Sequence, residues 1–286
     1  MEAFLLTKKV GGCTEKTLAM YRWWLDRLVR EVQVPDTVGV RKFFVRLSES
    51  GLSHSTQHQA FRVFRVFFRW ALDCGAMTSD PLRGFTMRTP KTLPQVPSLD
   101  EVRAVLASCQ DTLEGVRNRA MILVLADSGL RASELLGLLV EHWNPADRSL
   151  FVRSGKGRKD RVVFVGATTT RALKEWLARH PAPAPESYLF TDRQGRRVKH
   201  RHLVTLLHRL SAKAGLPEHR WLHPHALRHF AATSWLREGM GLDEVRRLLG
   251  HETLHTTLRY SSLVSKDLQQ AHKKASAVDR TGLGDV

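Results

Sequence analysis

The sequence predicts two domains: an all-α bundle over residues 1–88 and a mainly α domain over residues 98–286 with a small antiparallel β-hairpin, joined by a linker at 89–97. Three observations carry that expectation. Apolar residues recur at three- and four-residue spacing through most of the chain, as buried helical faces require. A proline-rich stretch interrupts the pattern near residue 90, and one pair of short alternating segments flanks a glycine turn. With 286 residues, 42% apolar and 26% charged, the chain is long enough to build cores without disulfide staples and too apolar to be wholly disordered.

Taken in order, Leu18, Tyr21, Leu25 and Leu28 form a first helical stripe, which Pro35 and Gly39 interrupt. A short series around Phe43, Phe44 and Leu47 follows. From Ser53 to Ala71, Ala60, Phe64, Phe67 and Phe68 lie on or near one stripe, while Arg62, Arg65 and Arg69 lie away from its centre. This is a basic amphipathic helix, and its arginines are candidate DNA contacts; a solvated face around an aromatic core is the plainer reading of the same pattern. Residues 80–97 hold Pro81, Gly84, Pro90, Pro94 and Pro97 among Arg83, Arg88 and Lys91, an extended basic segment with three further candidate DNA contacts. Ser98 and Glu101 then have the spacing of a capping box, with Val102, Val105 and Leu106 behind them, so a second domain starts here.

In that domain an apolar helical run begins at Ala120 and ends near the turn-forming ADSGL sequence, which Arg131 follows. Leu150 and Val152 before Gly155, Lys156 and Gly157, with Val162 and Phe164 after them, read as two antiparallel strands. Helices are expected at 168–178, 202–212, 225–237 and 243–249, followed by a segment reaching Tyr260, and the last residues are expected to fray.

Charge directs attention to polyanions. Lys and Arg number 45 against 28 Asp and Glu, a net +17, and an excess of that size favours association with nucleic acid. Both parts are basic, with 15 basic to 8 acidic residues in 1–97 and 30 to 20 in 98–286, which suits two domains holding one duplex. The three cysteines, Cys13, Cys74 and Cys109, are odd in number and far apart, a usage that fits a reducing cytoplasm. No apolar stretch approaches the roughly 20 residues of a spanning helix, and the amino terminus lacks a signal-peptide core, so neither export nor a membrane is expected.

Three segments carry chemistry: SGLRASELLGL at 128–138, HPHALRHFAAT at 223–233 and LLGHETLHTTLRY at 248–260. His225 and Arg228 stand at i,i+3, so a helix presents both on one face. Gly250 reads as a helix terminator with His251 just beyond it, and Tyr260 follows nine residues later in a polar setting. Cations to hold phosphate oxygens, a proton donor and a nucleophile are the requirements of a phosphodiester-reacting site, and all are present.

In order and spacing these segments resemble the tyrosine recombinases of the phage-integrase family, most closely the Xer-type site-specific recombinases. The resemblance spans essentially residues 10–275 and rests on GLRxSEL, HxLRH and LGH followed by the tyrosine. It implies a core-binding first domain, a catalytic second domain with a docking tail, and six catalytic positions: Arg131, Lys156, His225, Arg228, His251 and Tyr260. It implies that Tyr260 attacks phosphorus to form a 3′-phosphotyrosyl link and that Arg131 and Arg228 clamp the phosphate. Lys156 would protonate the leaving oxygen, His225 would assist proton transfer, and His251 would donate a hydrogen bond. His229 is read as packing or orienting. No metal or other cofactor is expected, because the arginines and Lys156 supply the positive field. The implied partners are double-stranded DNA, three further protomers of the same or a related recombinase on two sites, and a DNA translocase. The implied setting is DNA-associated and cytoplasmic, in chromosome-dimer resolution or mobile-element integration. A type IB topoisomerase and a catalytically inactive architectural or regulatory DNA-binding factor stand as alternatives.

Overall fold

The computed structural model describes residues 1–88, 95–153, 160–253, 256–258 and 260. The chain divides into two compact units, Met1–Thr92 and Leu93–Val286.

The first unit is four helices: α1 (Glu2–Val10), α2 (Glu15–Glu31), α3 (Thr37–Glu49) and α4 (His54–Asp73). Each of the last three starts on a side chain that accepts a backbone N–H of its first turn: Thr14 from Thr17, Asp36 from Gly39 and Ser53 from Thr56. Such caps satisfy donors that the helix leaves open. Gly39 therefore lies inside α3, in its first turn, and does not break the pattern as the sequence suggests. Helix α1 was not anticipated; it has only 9 residues, with Phe4 and Leu5 buried and Lys8 and Lys9 in its last turn. The core is aromatic. Phe4, Trp24, Phe43, Phe64 and Phe68 are fully buried, and most ring pairs meet edge-on, as Phe4 with Phe67 at 5.2 Å between centroids and Trp24 with Phe64 at 6.4 Å. Edge-on contact sets the positive rim of one ring against the negative face of the next, adding about 1 kcal/mol per pair beyond burial.

The second unit has α5 (Leu99–Ala107), α6 (Leu113–Ser128), the single turn α7 (Ala132–Leu135), strands β1 (Trp143–Asn144), β2 (Ser149–Val152) and β3 (Arg161–Phe164), then α8 (Ala167–Ala178), α9 (His200–Lys213), α10 (Pro224–Arg237) and α11 (Leu242–Leu249). The expected capping box is present at α5: the Ser98 hydroxyl accepts from Glu101 N, and the Glu101 carboxylate accepts from Ser98 N at 2.7 Å. Helix α6 is central, with Ala120, Met121, Ile122, Val124 and Leu125 all fully buried, and it packs on both α8 and α10. That burial on several sides explains its near-continuous apolar run.

The strands form one antiparallel sheet in the order β1-β2-β3, with Leu150 opposite Val163 and Val152 opposite Arg161. Leu150, Val152, Val163 and Val165 face the core, whereas Val162 and Phe164, the apolar pair that marks the second strand in the sequence, are exposed. In a run of Val-Val-Phe-Val both faces are apolar, so alternation cannot choose between them; the register of β2 does. Arg161 shares the inward parity of Val163, and that placement builds the site. Lys156 belongs to the segment joining β2 to β3 and, like Lys91 and the tail after Tyr260, lies outside the described residues. Among the described residues, no helix is long and apolar enough to cross a membrane.

Candidate active site

Three chain reversals bring the chemistry-bearing segments together. Helix α6 ends at Gly129, in the left-handed region at φ 62°, and the turn delivers Arg131 to the N-cap of α7. Glu134, three residues on, folds back: its carboxylate accepts from Arg131 N and from the Arg131 guanidinium, each at 2.8 Å. Helix α10 begins at Pro224, and the ring of His223 at its N-cap accepts from Ala226 N. Its second turn carries Arg228 inward to 2% exposure, while His225 one turn earlier is exposed and His229 is half-buried.

The third reversal is at the end of α11. Gly250 terminates that helix at φ 64°, and a Cβ there would stand 3.0–3.2 Å from the guanidinium of Arg161. Both the left-handed backbone and the close approach require glycine. The last carbonyls of a helix have no partner within it and carry the negative end of its dipole. Here three arginines take them in succession. Arg161 Nε donates to Leu248 O at 2.8 Å, Arg228 Nη2 to Leu249 O at 2.6 Å and Arg131 Nη2 to Gly250 O at 3.3 Å. Arg228 Nη1 donates in addition to Gly129 O at 2.7 Å, which ties α10 to the turn after α6.

Glu134 is the counter-charge of this cluster. Arg161 grips it with two parallel bonds of 3.0 and 2.9 Å, and Arg228 lies 4.0 Å away. Burial opposes ionisation of Glu134, but the hydrogen bonds and charge of Arg161, with the amide and charge of Arg131, outweigh it and bring its pKa to about 2. Burial beside the Arg131 cation pulls Arg228 down to about 10, so it remains charged at neutral pH. The stabilisation from ionised Glu134 is complete above the ordinary carboxylate value of 4.5 and is lost as pH falls through about 2. Glu134→Gln is expected to lower the unfolding free energy by roughly 3 kcal/mol at neutral pH. Denaturant titrations should show the gap from wild type closing below about pH 4; a gap constant down to about pH 2 would contradict the assignment.

Beyond Gly250 the chain brings two more of the predicted residues alongside α10. His251 is held by its amide on Arg246 O, and its Nδ1 is 2.9 Å from Thr257 Oγ1. Tyr260 is 2% exposed and packs with Ala232, Val245 and Leu249. Its ring lies parallel to that of His251, with 6.4 Å between centroids, and its hydroxyl is 2.9 Å from His229 Nδ1. Arg228 is close enough to Tyr260 for their charges to be coupled. Arg131, Arg228, His251 and Tyr260 therefore share one site within a single chain. His225 joins its edge, 6.5 Å from the His229 ring between centroids.

Glu134 and Arg161 are absent from the set of residues read from the sequence. Glu134 had a signal: it is an acid three residues after an arginine inside a strongly basic chain, the spacing of a helical ion pair. Arg161 had none, because both faces of its strand are apolar and only pairing with β2 sets its parity inward. In the first unit Arg62, Arg65 and Arg69 are exposed on α4 beside the buried stripe of Phe61, Phe64 and Phe68, with the Arg65 guanidinium 5.8 Å from the centre of the Phe61 ring, and Arg83 and Arg88 are exposed beyond it. They form a solvent-facing basic surface.

The phage integrase family model matches residues 97–266, and that of a phage integrase N-terminal SAM-like domain matches residues 1–75. The chain is 33% identical to tyrosine recombinase XerC of Serratia marcescens over 96% of its length and 93% of the relative's. It is 28% identical to tyrosine recombinase XerA of Pyrococcus horikoshii over 98% and 94%. In fold it is similar to the Tn1549 transposon integrase in complex with transposon right end DNA, with a TM-score of 0.75 over 93% of this chain and 98% of that one at 19% identity. With family models covering both units and close relatives spanning nearly the whole length, the chain belongs to the phage integrase family and is a tyrosine recombinase of the Xer-related group, an enzyme of site-specific DNA strand exchange.

Proposed function

We propose that this chain cleaves and rejoins DNA through a 3′-phosphotyrosyl intermediate at Tyr260, with Arg131 and Arg228 as the phosphate clamp. The single observation that carries the reading is the gathering of Arg131, Arg228, His251 and Tyr260 around the end of α11, with Arg131 reaching Gly250 from 119 residues away. A guanidinium fork matches two phosphate oxygens and keeps its charge at any cellular pH. A tyrosyl phosphodiester conserves the energy of the bond it replaces, so rejoining needs no high-energy donor. Since the phenol is buried, attack on DNA requires the end of the chain beyond α11 to shift so that Tyr260 meets the phosphate. His251 donates a hydrogen bond in the transition state, and His225, exposed at the rim, meets the DNA side of the phosphate.

Lys156 acts as general acid for the departing 5′-oxygen, and its flexible ammonium stem suits that role. Lys156→Ala should lower cleavage of ordinary DNA by about 10²-fold or more, as loss of a positioned proton donor does. A 5′-bridging phosphorothioate, whose sulfur leaves without a proton, should restore most of the rate. An alanine variant equally slow on both substrates would leave Lys156 as a phosphate contact only.

The exposed arginines Arg62, Arg65, Arg69, Arg83 and Arg88, together with Lys91, hold the phosphate backbone of the duplex, and four protomers assemble on two sites with the tail after Tyr260 linking neighbours. The setting is resolution of chromosome dimers, beside a related recombinase and a DNA translocase, or integration of a mobile element, as the resemblance to the Xer-type recombinases implies. The test is a library of nicked substrates from which covalent protein–DNA junctions are sequenced. Adducts at Tyr260, with recombinant products from paired sites, are expected. Relaxation of supercoils by a monomer without recombinants would make the enzyme a topoisomerase, and no adduct would make it a binding factor.

A further inference from the structure

We propose that Arg161 is a positioning residue for the phosphate clamp: by filling the carboxylate of Glu134 it keeps Arg228 off that acid and available to the scissile phosphate. An ionised carboxylate accepts about four hydrogen bonds, two on each oxygen. Glu134 has all four. Its Oε1 accepts from Arg161 Nη1 at 3.0 Å and Arg131 Nη1 at 2.8 Å, and its Oε2 from Arg161 Nη2 at 2.9 Å and Arg131 N at 2.8 Å. Arg228 Nη1 stands 4.0 Å from Oε2, beyond hydrogen-bond distance. It donates to Gly129 O instead, while Arg228 Nη2 donates to Leu249 O. Without Arg161, half of the acceptor sites on a buried anion would stand open beside a buried cation. Attraction between opposite charges is strong in surroundings that dry. A guanidinium drawn onto Glu134 would leave the carbonyls that hold it and spend its charge inside the protein.

Arg161 is itself held for this task. It opens β3 opposite Val152, so the register of the sheet delivers it to a cluster otherwise built from helix ends and turns. All three of its nitrogens are committed: two to Glu134, and Nε to Leu248 O at 2.8 Å. Gly250 packs against the guanidinium with no room for a side chain, which seats Arg161 on the end of α11. The charge balance follows. Arg131, Arg161 and Arg228 against Glu134 leave the cluster two positive charges in excess, and without Arg161 the excess is one. Phosphoryl transfer spreads negative charge over the non-bridging oxygens of its transition state, where preorganised cations are worth most. Arg161 adds to that field without facing the substrate.

This inference rests on Arg131 and Arg228 being the clamp, and its test separates the two. Single-turnover cleavage of a nicked substrate would be measured for wild type, Arg161→Met, Arg161→Lys and the double variant Arg161→Met with Glu134→Gln, well below every unfolding midpoint. Each would act on an ordinary scissile phosphodiester and on a methylphosphonate, which carries no negative charge and asks far less of the guanidiniums. On the phosphodiester Arg161→Met should be slower by about 10²-fold. Neutralising the acid in the double variant should recover about tenfold of that loss, the coupling expected of side chains in one network. On the methylphosphonate Arg161→Met should come within about threefold of wild type, as should its affinity for a half-site DNA. Arg161→Lys keeps the charge but cannot fill both carboxylate oxygens, so its phosphodiester rate should fall between those of wild type and the methionine variant. A side chain that only held the fold would slow both substrates alike and leave the double variant no faster than Arg161→Met; either result would overturn the proposal. If the methionine variant does not fold, the lysine variant decides: loss confined to the phosphodiester supports the role, and equal loss on both substrates ends it. A wild-type rate in Arg228→Ala would remove the clamp and this inference together, whereas a slow Arg228→Ala beside an unimpaired Arg161→Met would remove this one alone.

Discussion

Replacing Tyr260 with phenylalanine should abolish strand cleavage, lowering the single-turnover rate by at least about 10⁵-fold, the order seen when a covalent nucleophile is removed. The substitution deletes one oxygen and leaves the ring. Because that ring is buried with Ala232, Val245 and Leu249, its packing survives. What is lost inside the protein is the bond to His229, about 1 kcal/mol for a hydrogen bond of this kind. Folding and half-site binding should therefore be unchanged while the covalent adduct disappears from a nicked-substrate gel. Full cleavage by the phenylalanine variant would end the mechanism argued above.

The second large effect is expected at Arg228. Arg228→Ala should reduce cleavage by at least about 10²-fold, as does losing one preorganised donor to a transition-state oxyanion. It should also destabilise the protein by about 3–5 kcal/mol, because truncating one member of a buried charged network leaves its partners uncompensated. Those partners are the carbonyls of Gly129 and Leu249 and the carboxylate of Glu134. Arg131→Ala should lower cleavage comparably with a smaller loss of stability, since Arg131 is only half-buried and its interior bond to Gly250 O is longer, at 3.3 Å. Thermal unfolding alongside single-turnover rates, measured well below the midpoint, would separate the contributions. An Arg228→Ala variant with an unchanged midpoint and a rate within about threefold of wild type would contradict both.

Arg131 and Arg228 have two sets of partners. Without DNA, each spends donors on protein carbonyls at a helix end or a turn. These contacts hold the guanidiniums in place, so under the proposed mechanism they would meet the phosphate already ordered. Arg161 takes no part in the proposed chemistry, yet it binds Glu134 and the end of α11 from the strand that follows Lys156. Through it the register of the hairpin is coupled to the clamp.

Much of the fold was legible because its elements announce themselves locally. Ser98 and Glu101 form their capping box across three residues, and the bounds expected for α8 to α11 lie within two residues of those found. Helix α1 was not legible, since 9 residues with two of them buried give too short a period to read. The outward turn of Val162 and Phe164 was not legible either, because both faces of β3 are apolar and only pairing with β2 selects one. Gly39 misled for a related reason: glycine in a first helical turn looks like a breaker until its amide is seen on Asp36.

By itself the sequence determined the chemical inventory of this protein: a large excess of cations, and two arginines, one lysine, two histidines and one tyrosine in three short segments and a hairpin turn. Tertiary structure decided who meets whom. Glu134 faces Arg161 across 27 residues, Arg131 reaches Gly250 across 119, and Tyr260 rests on His229 across 31. Periodicity records only which face of its own element a residue occupies, whereas a hydrogen bond between distant segments depends on how separate helices pack and where glycines turn the chain. That is why one helix alone shows His225 and Arg228 on a shared face, while only the packed structure puts His229 against the phenol.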